Sequence, residues 1–561
     1  MPEQELKLHV PPSARAAVGR EVRQGQAQSM RLRALYFDTP DRELARARVA
    51  VRLRQEGRRW VQTLKAPGEN AISRIEIDHE RPGPVLDLSV YAGTEVEAAI
   101  AGLRGELGVR YETDVSRVTR RVRTRRGTVE IAWDTGRLKA GGLELPISEI
   151  EFELVSGKLA AVFDLARRWQ QRHGLVADAR SKSERGDRLA QAAQAIARAG
   201  ADDAAQADAA RAREIAAFWA PRGACPIGLK PDMTPVQALD AVSAECLDQI
   251  VRNAAVLAEV DTAGVYAAGR PEHVHQLRVG MRRLRSAWKL FDGLAPLPPP
   301  ALREQAREYF GAFGTSRDLD VLREEVLPSL VAAGMPRLDL PASAPEGDVQ
   351  ALAAGHGFQA WLLALQAWHL DGLRDQPGAA ADARAAAQAS GGEAGTPAGD
   401  APDAAAGGDA QADAAPTIIP LQAPAEAASA HEPDLRSLLV RRLRKWHKQV
   451  AQGGAHFATL DTEARHALRK RAKRLRYGLS FAESLLRAGR LRTYRKRLAQ
   501  LQDVLGEFND LVVAREQFSV LASQYNQAWF ALGWMASRLD VLARQAEQGF
   551  ARLAEAPAFW K

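Results

Sequence analysis

A chain of 561 residues is too long for one core and implies two or three domains, and a hydrophobic content of 46% excludes a wholly disordered polymer. No run of roughly 18 apolar residues offers a membrane span, no apolar signal segment opens the chain, and Cys225 and Cys246 form neither a disulfide framework nor a metal-ligand spacing, so a cytoplasmic protein is expected. The net charge of +8 asks for an anionic partner, which nucleic acid, a membrane surface or polyphosphate would each satisfy.

The opening stretch "PEQELKLHV" puts Glu3, Glu5 and Lys7 on one face of a strand and Leu6 and Leu8 on the other. Taken alone, that pattern equally suits a half-buried strand wetting its polar side. Alternating stretches at 3–10, 32–38, 47–56, 59–66, 72–80, 113–123, 128–133 and 144–153 predict eight strands, a set that can close as an antiparallel barrel. Helical stripes follow at 94–107, 158–172 and 184–198, and the alanine-rich 191–218 predicts a helical connector. Turn-formers at 220–235 mark a domain boundary. Beyond Thr234 the period is helical except at 374–430, where Ala, Gly, Asp, Pro and Gln dominate and no core can form. The expected fold class is α+β: an eight-stranded antiparallel barrel with flanking helices over 1–205, a connector over 206–232, and an all-α two-repeat domain over 233–561, interrupted at 374–430.

Charge recurs at strand period throughout the first domain. "VRLRQ" supplies Arg52 and Arg54, "QTLK" Thr63 and Lys65, and "SRIEIDHE" Arg74, Glu76, Asp78 and Glu80. "SRVTRRVRTRRG" supplies Arg117, Arg121, Arg123 and Arg125, "EIAWDTG" Glu130 and Asp134, and "SEIEFEL" Glu149, Glu151 and Glu153. These polar faces either meet water or, if the helices cover the apolar faces, point into the lumen. Buried charges must be paired or bind ions. An anionic substrate escorted by a divalent metal resolves a lumen of mixed sign: guanidinium and ammonium groups take phosphate oxygens, while carboxylates hold hard cations such as Mg²⁺ or Mn²⁺. That combination is expected of phosphoanhydride hydrolysis.

The stretch Glu3-Gln4-Glu5-Leu6-Lys7 resembles the Glu-x-Glu-x-Lys signature of the CYTH domain, the triphosphate tunnel metalloenzymes. The resemblance continues through Arg52 and Arg54, Thr63-Leu64-Lys65, Arg74 with Glu76, Thr113-Asp114 leading to Arg117, Asp134-x-Gly136, the Glu149–Glu153 strand, and "SKSERG" with Lys182 and Arg185. It covers roughly residues 1–200 and implies an eight-stranded tunnel that hydrolyses triphosphate, in the manner of an inorganic triphosphatase yielding diphosphate and phosphate. It implies that Glu3, Glu5, Glu149 and Glu151 are the principal ligands for Mg²⁺ or Mn²⁺, with Asp134 and Glu153 beside them, and that Glu76 either ligates metal or holds one of the arginines. Arg52, Arg54, Lys65, Arg74, Arg117, Arg121, Arg123, Lys182 and Arg185 are implied to face the phosphate chain, and Lys7 to orient the attacking water. Asp78 is one methylene shorter than the glutamate common in the family pattern.

In the helical half, "HVHQLRVGMRRLRSAWKLF" carries His275, Arg278, Arg282 and Arg285 at relative positions 0, 3, 7 and 10, and "TEARHALRKRAKRLRYGLSF" repeats the spacing with His466, Arg469, Lys473 and Arg476. Each basic helix is followed at a similar distance by an acidic turn, Arg317-Asp318 with Asp320 in one half and Asn509-Asp510 in the other. Two such helices side by side would make one basic surface for an extended anion, thickened by residues such as Arg283, Arg442, Arg444, Arg495 and Arg497. No helix-turn-helix pair or zinc signature points to sequence-specific nucleic acid. The half resembles the CHAD domain, a two-repeat helical fold, and the resemblance implies a surface for long-chain inorganic polyphosphate and association with polyphosphate granules. The competing readings are a non-catalytic polyphosphate-binding scaffold and a nucleoside or thiamine triphosphatase.

Overall fold

The computed structural model describes residues 3–68, 70, 72–199, 204–260, 271–314, 322–336, 338, 349–373 and 433–560. The stretch 374–430 and the Arg317-Asp318 turn with Asp320 lie outside the described residues.

The eight expected strands are β1 (Glu3–His9), β2 (Gln28–Asp38), β3 (Ala50–Glu56), β4 (Arg59–Pro67), β5 (Ser73–Arg81), β6 (Gly108–Arg123), β7 (Gly127–Ala140) and β8 (Leu143–Gly157), with a two-residue β9 (Val176–Ala177) added on β1. They run in the order β5-β4-β3-β2-β6-β7-β8-β1, and a β1–β5 pairing closes the ring; all pairs are antiparallel. Strand β7 runs past the expected end at residue 133. Asp134, Thr135 and Gly136 stay in the ladder, and the hairpin turns at Gly141 and Gly142, whose φ of 49° and 82° suit the two-residue loop.

Helices α1 (Arg15–Val22), α2 (Glu43–Arg46), α3 (Glu97–Ala101), α4 (Ala160–His173), α5 (Lys182–Ala199) and α6 (Ala204–Ala217) flank the barrel. The helix expected at 94–107 is reduced to α3, because Gly102 and Gly105 end it and β6 starts at Gly108. On one side the alternation works as the sequence implies: Leu6, Leu8, Ile150 and Phe152 face outward beneath α1 and α4, and Phe152 meets Trp169 edge to face at 6.2 Å. Elsewhere the outer face is charged, with Arg31 on Asp114 and Arg33 on Glu112, and the apolar residues turn inward. There Tyr36, Tyr111, Leu138 and Leu145 pack against Leu189 and Ala193 of α5, which closes that end of the lumen. The lumen is therefore layered: apolar beneath α5, charged in the middle, open at the far rim.

The second half is helical, as expected: α7 (Pro235–Leu257), α8 (Pro271–Phe291), α9 (Pro300–Ala312), α10 (Leu327–Ala332), α11 (Val349–Ala354), α12 (His356–Ala367), α13 (Leu435–Gly453), α14 (Thr462–Phe481), α15 (Ala488–Leu521) and α16 (Gln527–Ala554). Thr234 starts α7 with a capping box to Gln237 and Pro235 at the first turn. A single apolar core runs from the outer face of β1 and β8 through α4 into this half. Among the described residues, no helix is long and apolar enough to cross a membrane.

Gly136 lies opposite Val115 in the β6–β7 ladder, and a Cβ there would stand 2.0 Å from the Asp114 carbonyl oxygen. Gly136→Ala is expected to destabilise the chain by about 1–3 kcal/mol through forced backbone displacement. A lowered melting temperature checks this; an unchanged one would contradict the close approach.

Candidate active site

The strand registers set the charged groups side by side. Lys7 lies opposite Glu151, Arg117 opposite Asp134, Asp134 opposite Glu149, and Lys65 opposite Glu76. Because one face of each strand is turned inward, these neighbours meet across the lumen wall.

Two clusters result. In the first, Asp134, Glu149 and Glu151 each present an oxygen within 4.8 Å of the others. The Lys182 ammonium, delivered by the first turn of α5, stands among them, 2.7 Å from Asp134, 2.6 Å from Glu151 and in contact with Glu149. Arg117 makes a bidentate pair with Asp134, both bonds 2.7 Å, and reaches Glu151 at 2.5 Å, while Arg185 pairs with Glu149. Burial pushes these carboxyls up, but Lys182 and Arg117 hold Asp134 and Glu151 near 2, and Arg185 and Lys182 do the same for Glu149. Lys7 lies 3.9 Å from Glu149 and donates to the Arg180 carbonyl; burial lowers its pKa.

The second cluster occupies the opposite wall. Lys65 bridges Glu3 at 2.9 Å and Glu76 at 2.8 Å, and Arg52 reaches Glu76 and the Tyr36 hydroxyl, each at 3.3 Å. Burial raises Glu3, which shares a hydrogen bond with Glu76, and the same bond with Lys65 and Arg52 lowers Glu76 against its own burial. Arg54 pairs with Glu56 at 2.5 Å, and Thr63 donates to Asp78 at 2.6 Å.

Glu5 lies between the clusters. Among the described residues it has no ion pair within 4.0 Å, and burial followed by repulsion from Glu151 pushes it up to about 7. Burial and Glu130 raise Glu153. A half-buried carboxyl repelled by Glu151, one of three converging carboxylates, fits a divalent oxygen-liganded metal. Asp134, Glu149 and Glu151 could hold it, with Glu5 close enough to feel Glu151, and the Lys182 ammonium marks where positive charge is favoured.

The structure thus gathers Glu3, Glu5, Lys7, Arg52, Lys65, Glu76, Arg117, Asp134, Glu149, Glu151, Lys182 and Arg185 in one lumen. It does not bring all to one point: Glu3 and Glu76 belong to the second wall, outside the carboxylate triad. Arg121 and Arg123 share the inward register but lie at the exposed rim, Arg121 paired with Glu130 at 3.0 Å. Arg74 donates to its neighbour's carbonyl, Ser73 O, at 2.8 Å. Sequence reasoning missed Tyr36 and the Asp178–Arg180 pair whose carbonyl receives Lys7; the one available signal was a carboxylate and a cation directly before "SKSERG".

In the helical half, α8 packs on α14 and joins the two basic sets. Arg278, Arg282 and Arg285 gather over the Phe310 ring of α9, at 4.4, 5.1 and 5.4 Å. Lys473 faces them, and burial, then Arg282 and Arg469, lower it to about 7. His466 bonds Asn509, Arg476 donates to Gln502 at 2.9 Å, and His275 is half-buried one turn before Arg278. Some residues expected on this surface are structural. Arg283 is buried and donates to Gln249 at 2.7 Å, and Arg442 caps the end of α8 through the carbonyls of Leu290 and Asp292.

Glu5 makes the metal-free barrel sensitive to pH. Its folded value of about 7 exceeds the ordinary 4.5, so between those values the folded state binds more protons than the unfolded one. Its contribution to stability therefore falls as pH rises through that window, while divalent metal affinity climbs by up to about tenfold per pH unit. Melting curves of the metal-free chain and of Glu5→Gln from pH 5 to 8 check the first point: the difference between them should vanish at the acid end and widen toward pH 8. Calorimetric titration with Mg²⁺ over the same range checks the second.

Comparison with known proteins places both halves. Residues 1–186 match the model of the CYTH domain and residues 241–519 that of the CHAD domain. An inorganic triphosphatase of Haemophilus influenzae is 33% identical over 198 residues, covering 33% of this chain and 54% of the relative, so the chain spans about half the length of that curated protein. Among solved structures, the CHAD domain of Ricinus communis is 27% identical over 59% of this chain and 96% of its own, with a TM-score of 0.37. A Pyrococcus horikoshii protein is 20% identical over 32% of this chain and 96% of its own, with a TM-score of 0.23. The barrel and the basic helical half are, respectively, a CYTH domain and a CHAD domain joined in one chain.

Proposed function

We propose that the barrel is a metal-dependent inorganic triphosphatase, hydrolysing tripolyphosphate to diphosphate and phosphate, and that the helical half binds long-chain inorganic polyphosphate. The observation that carries the first part is the pairing, in one lumen, of a carboxylate triad with the cations Arg117 and Lys182. The identity to an inorganic triphosphatase supports the same substrate class.

Arg117, Lys182, Arg185, Lys65, Arg52 and Arg54 bind phosphoryl oxygens in place of the carboxylates they now neutralise, with Arg74 beside them and Arg121 and Arg123 meeting the chain at the rim. Asp134, Glu149, Glu151 and Glu5, with Glu3, Glu76 and Glu153 nearby, would hold Mg²⁺ or Mn²⁺, which would supply Lewis-acid polarisation of a phosphoryl oxygen. Lys7, fixed by the Arg180 carbonyl and next to Glu149, orients water toward phosphorus. The water oxygen bonds to the terminal phosphorus, the anhydride P–O bond breaks, diphosphate leaves with that electron pair, and the surplus proton passes to solvent.

Phosphate release from tripolyphosphate with Mg²⁺ or Mn²⁺ tests the reading. Glu5→Gln and Glu151→Gln are each expected to lower kcat by about a hundredfold or more; unchanged release in both would sink the metal assignment. A panel including ATP and thiamine triphosphate fixes the substrate class.

On the helical half, Arg282→Gln with Lys473→Gln is expected to weaken long-chain polyphosphate binding by about tenfold. Lys473 titrates near 7, and the bound anion favours its charged form, so affinity should fall as pH rises past 7 and the double variant should lose that dependence. Calorimetry at pH 6 and 8 reads both.

A further inference from the structure

The segment from Val176 to Arg185 has almost no backbone ladder of its own, only the two-residue β9 and the start of α5, yet it carries three functional groups of the barrel. The Arg180 carbonyl receives Lys7, and Lys182 and Arg185 reach the carboxylates. Besides the β9 ladder on β1 and the packing of α5 on the barrel, the segment is tied to groups outside the barrel. At its start, the fully buried Gln359 of α12 accepts the Ala177 N–H at 2.8 Å while donating to the Ala353 carbonyl at 2.6 Å. In the middle, buried Arg180 pairs with Asp178 and lies 4.3 Å over the Trp219 ring, in the stretch leading into the helical half. At its end, Glu184 forms a bidentate pair with Arg252 of α7, one bond 3.0 Å, and Asp248 fixes the Arg252 Nε at 2.6 Å.

We infer that the helical half positions the cationic wall of the barrel site, with Gln359 and Arg252 as positioning residues for the proposed hydrolysis. The proposal rests on the triphosphatase reading for its kinetic consequence and on geometry alone for its structural one. The two ties control different groups. Gln359 sets β9 and, through the next three residues, the carbonyl that aims Lys7; Arg252 sets the first turn of α5 and thus Lys182 and Arg185. Loosening the first should act on turnover, and loosening the second on substrate binding.

The test uses the full chain, with Gln359→Leu, Arg252→Gln, and the reversed pair Arg252→Glu with Glu184→Arg. Tripolyphosphate kinetics and amide hydrogen exchange are measured on each. Arg252→Gln is expected to raise KM about fivefold with kcat nearly unchanged, Gln359→Leu to lower kcat about fivefold, and both to speed exchange of amides 177–186 while the barrel strands keep their protection. The reversed pair should bring KM back toward the parent value. Arg252 is 23% exposed and Glu184 41%, so this variant folds even if buried Gln359 proves indispensable. Parent-like exchange of 177–186 in both single variants overturns the proposal, as does loss of protection spread evenly over the chain. If the parent itself releases no phosphate, the triphosphatase reading fails, and exchange alone decides the positioning.

Discussion

The constraint on which this molecule turns is the burial of like charge. Asp134, Glu149 and Glu151 lie on adjacent strands with oxygens within 4.8 Å, and three carboxylates at that spacing in a desolvated wall cannot coexist ionised without compensation. Lys182, Arg117 and Arg185 provide it, and two of these three come from the first turn of α5, outside the strands. The barrel and the helix that closes one end of it are therefore electrostatically interdependent. A site organised in this way stores opposite charges that a polyanion and a divalent cation can separate, each taking the partner of its own sign.

The helical half has the reverse problem. Arg282, Arg469 and Lys473 lie close enough to repel one another, and the Phe310 ring supplies an aromatic face to Arg278, Arg282 and Arg285. Repulsion is relieved at Lys473 by a lowered pKa, a cost that a bound anion removes. One continuous apolar core runs beneath both halves.

Much of this was legible because strand and helix periods are strict. The alternation in "EQELKLH" and "EIEFEL" puts Glu3, Glu5, Lys7, Glu149 and Glu151 on shared faces, and the 0, 3, 7, 10 spacing does the same for both basic helices. Alternation fixes which residues share a face but not what the face meets. Arg31 and Asp114 alternate as regularly as Arg117 and Asp134, yet one pair is in water and the other is in the lumen. Nor does it give depth along the strand, which is why Arg121 and Arg123 belong to the rim.

The sequence by itself determined the eight strands, the helical repeat and the inventory of charged faces, because periodicity is a local property of the chain. Only the tertiary structure decided which carboxylates converge, that Glu5 is left between two compensated clusters, that Arg283 is buried, and that Arg180 offers its carbonyl to Lys7. Those outcomes depend on strand order, closure of β1 on β5, and ties from Gln359 and Arg252 across more than 60 residues of sequence, with separations of 182 and 68. Register and long-range contact are settled by packing, and packing has no period to read.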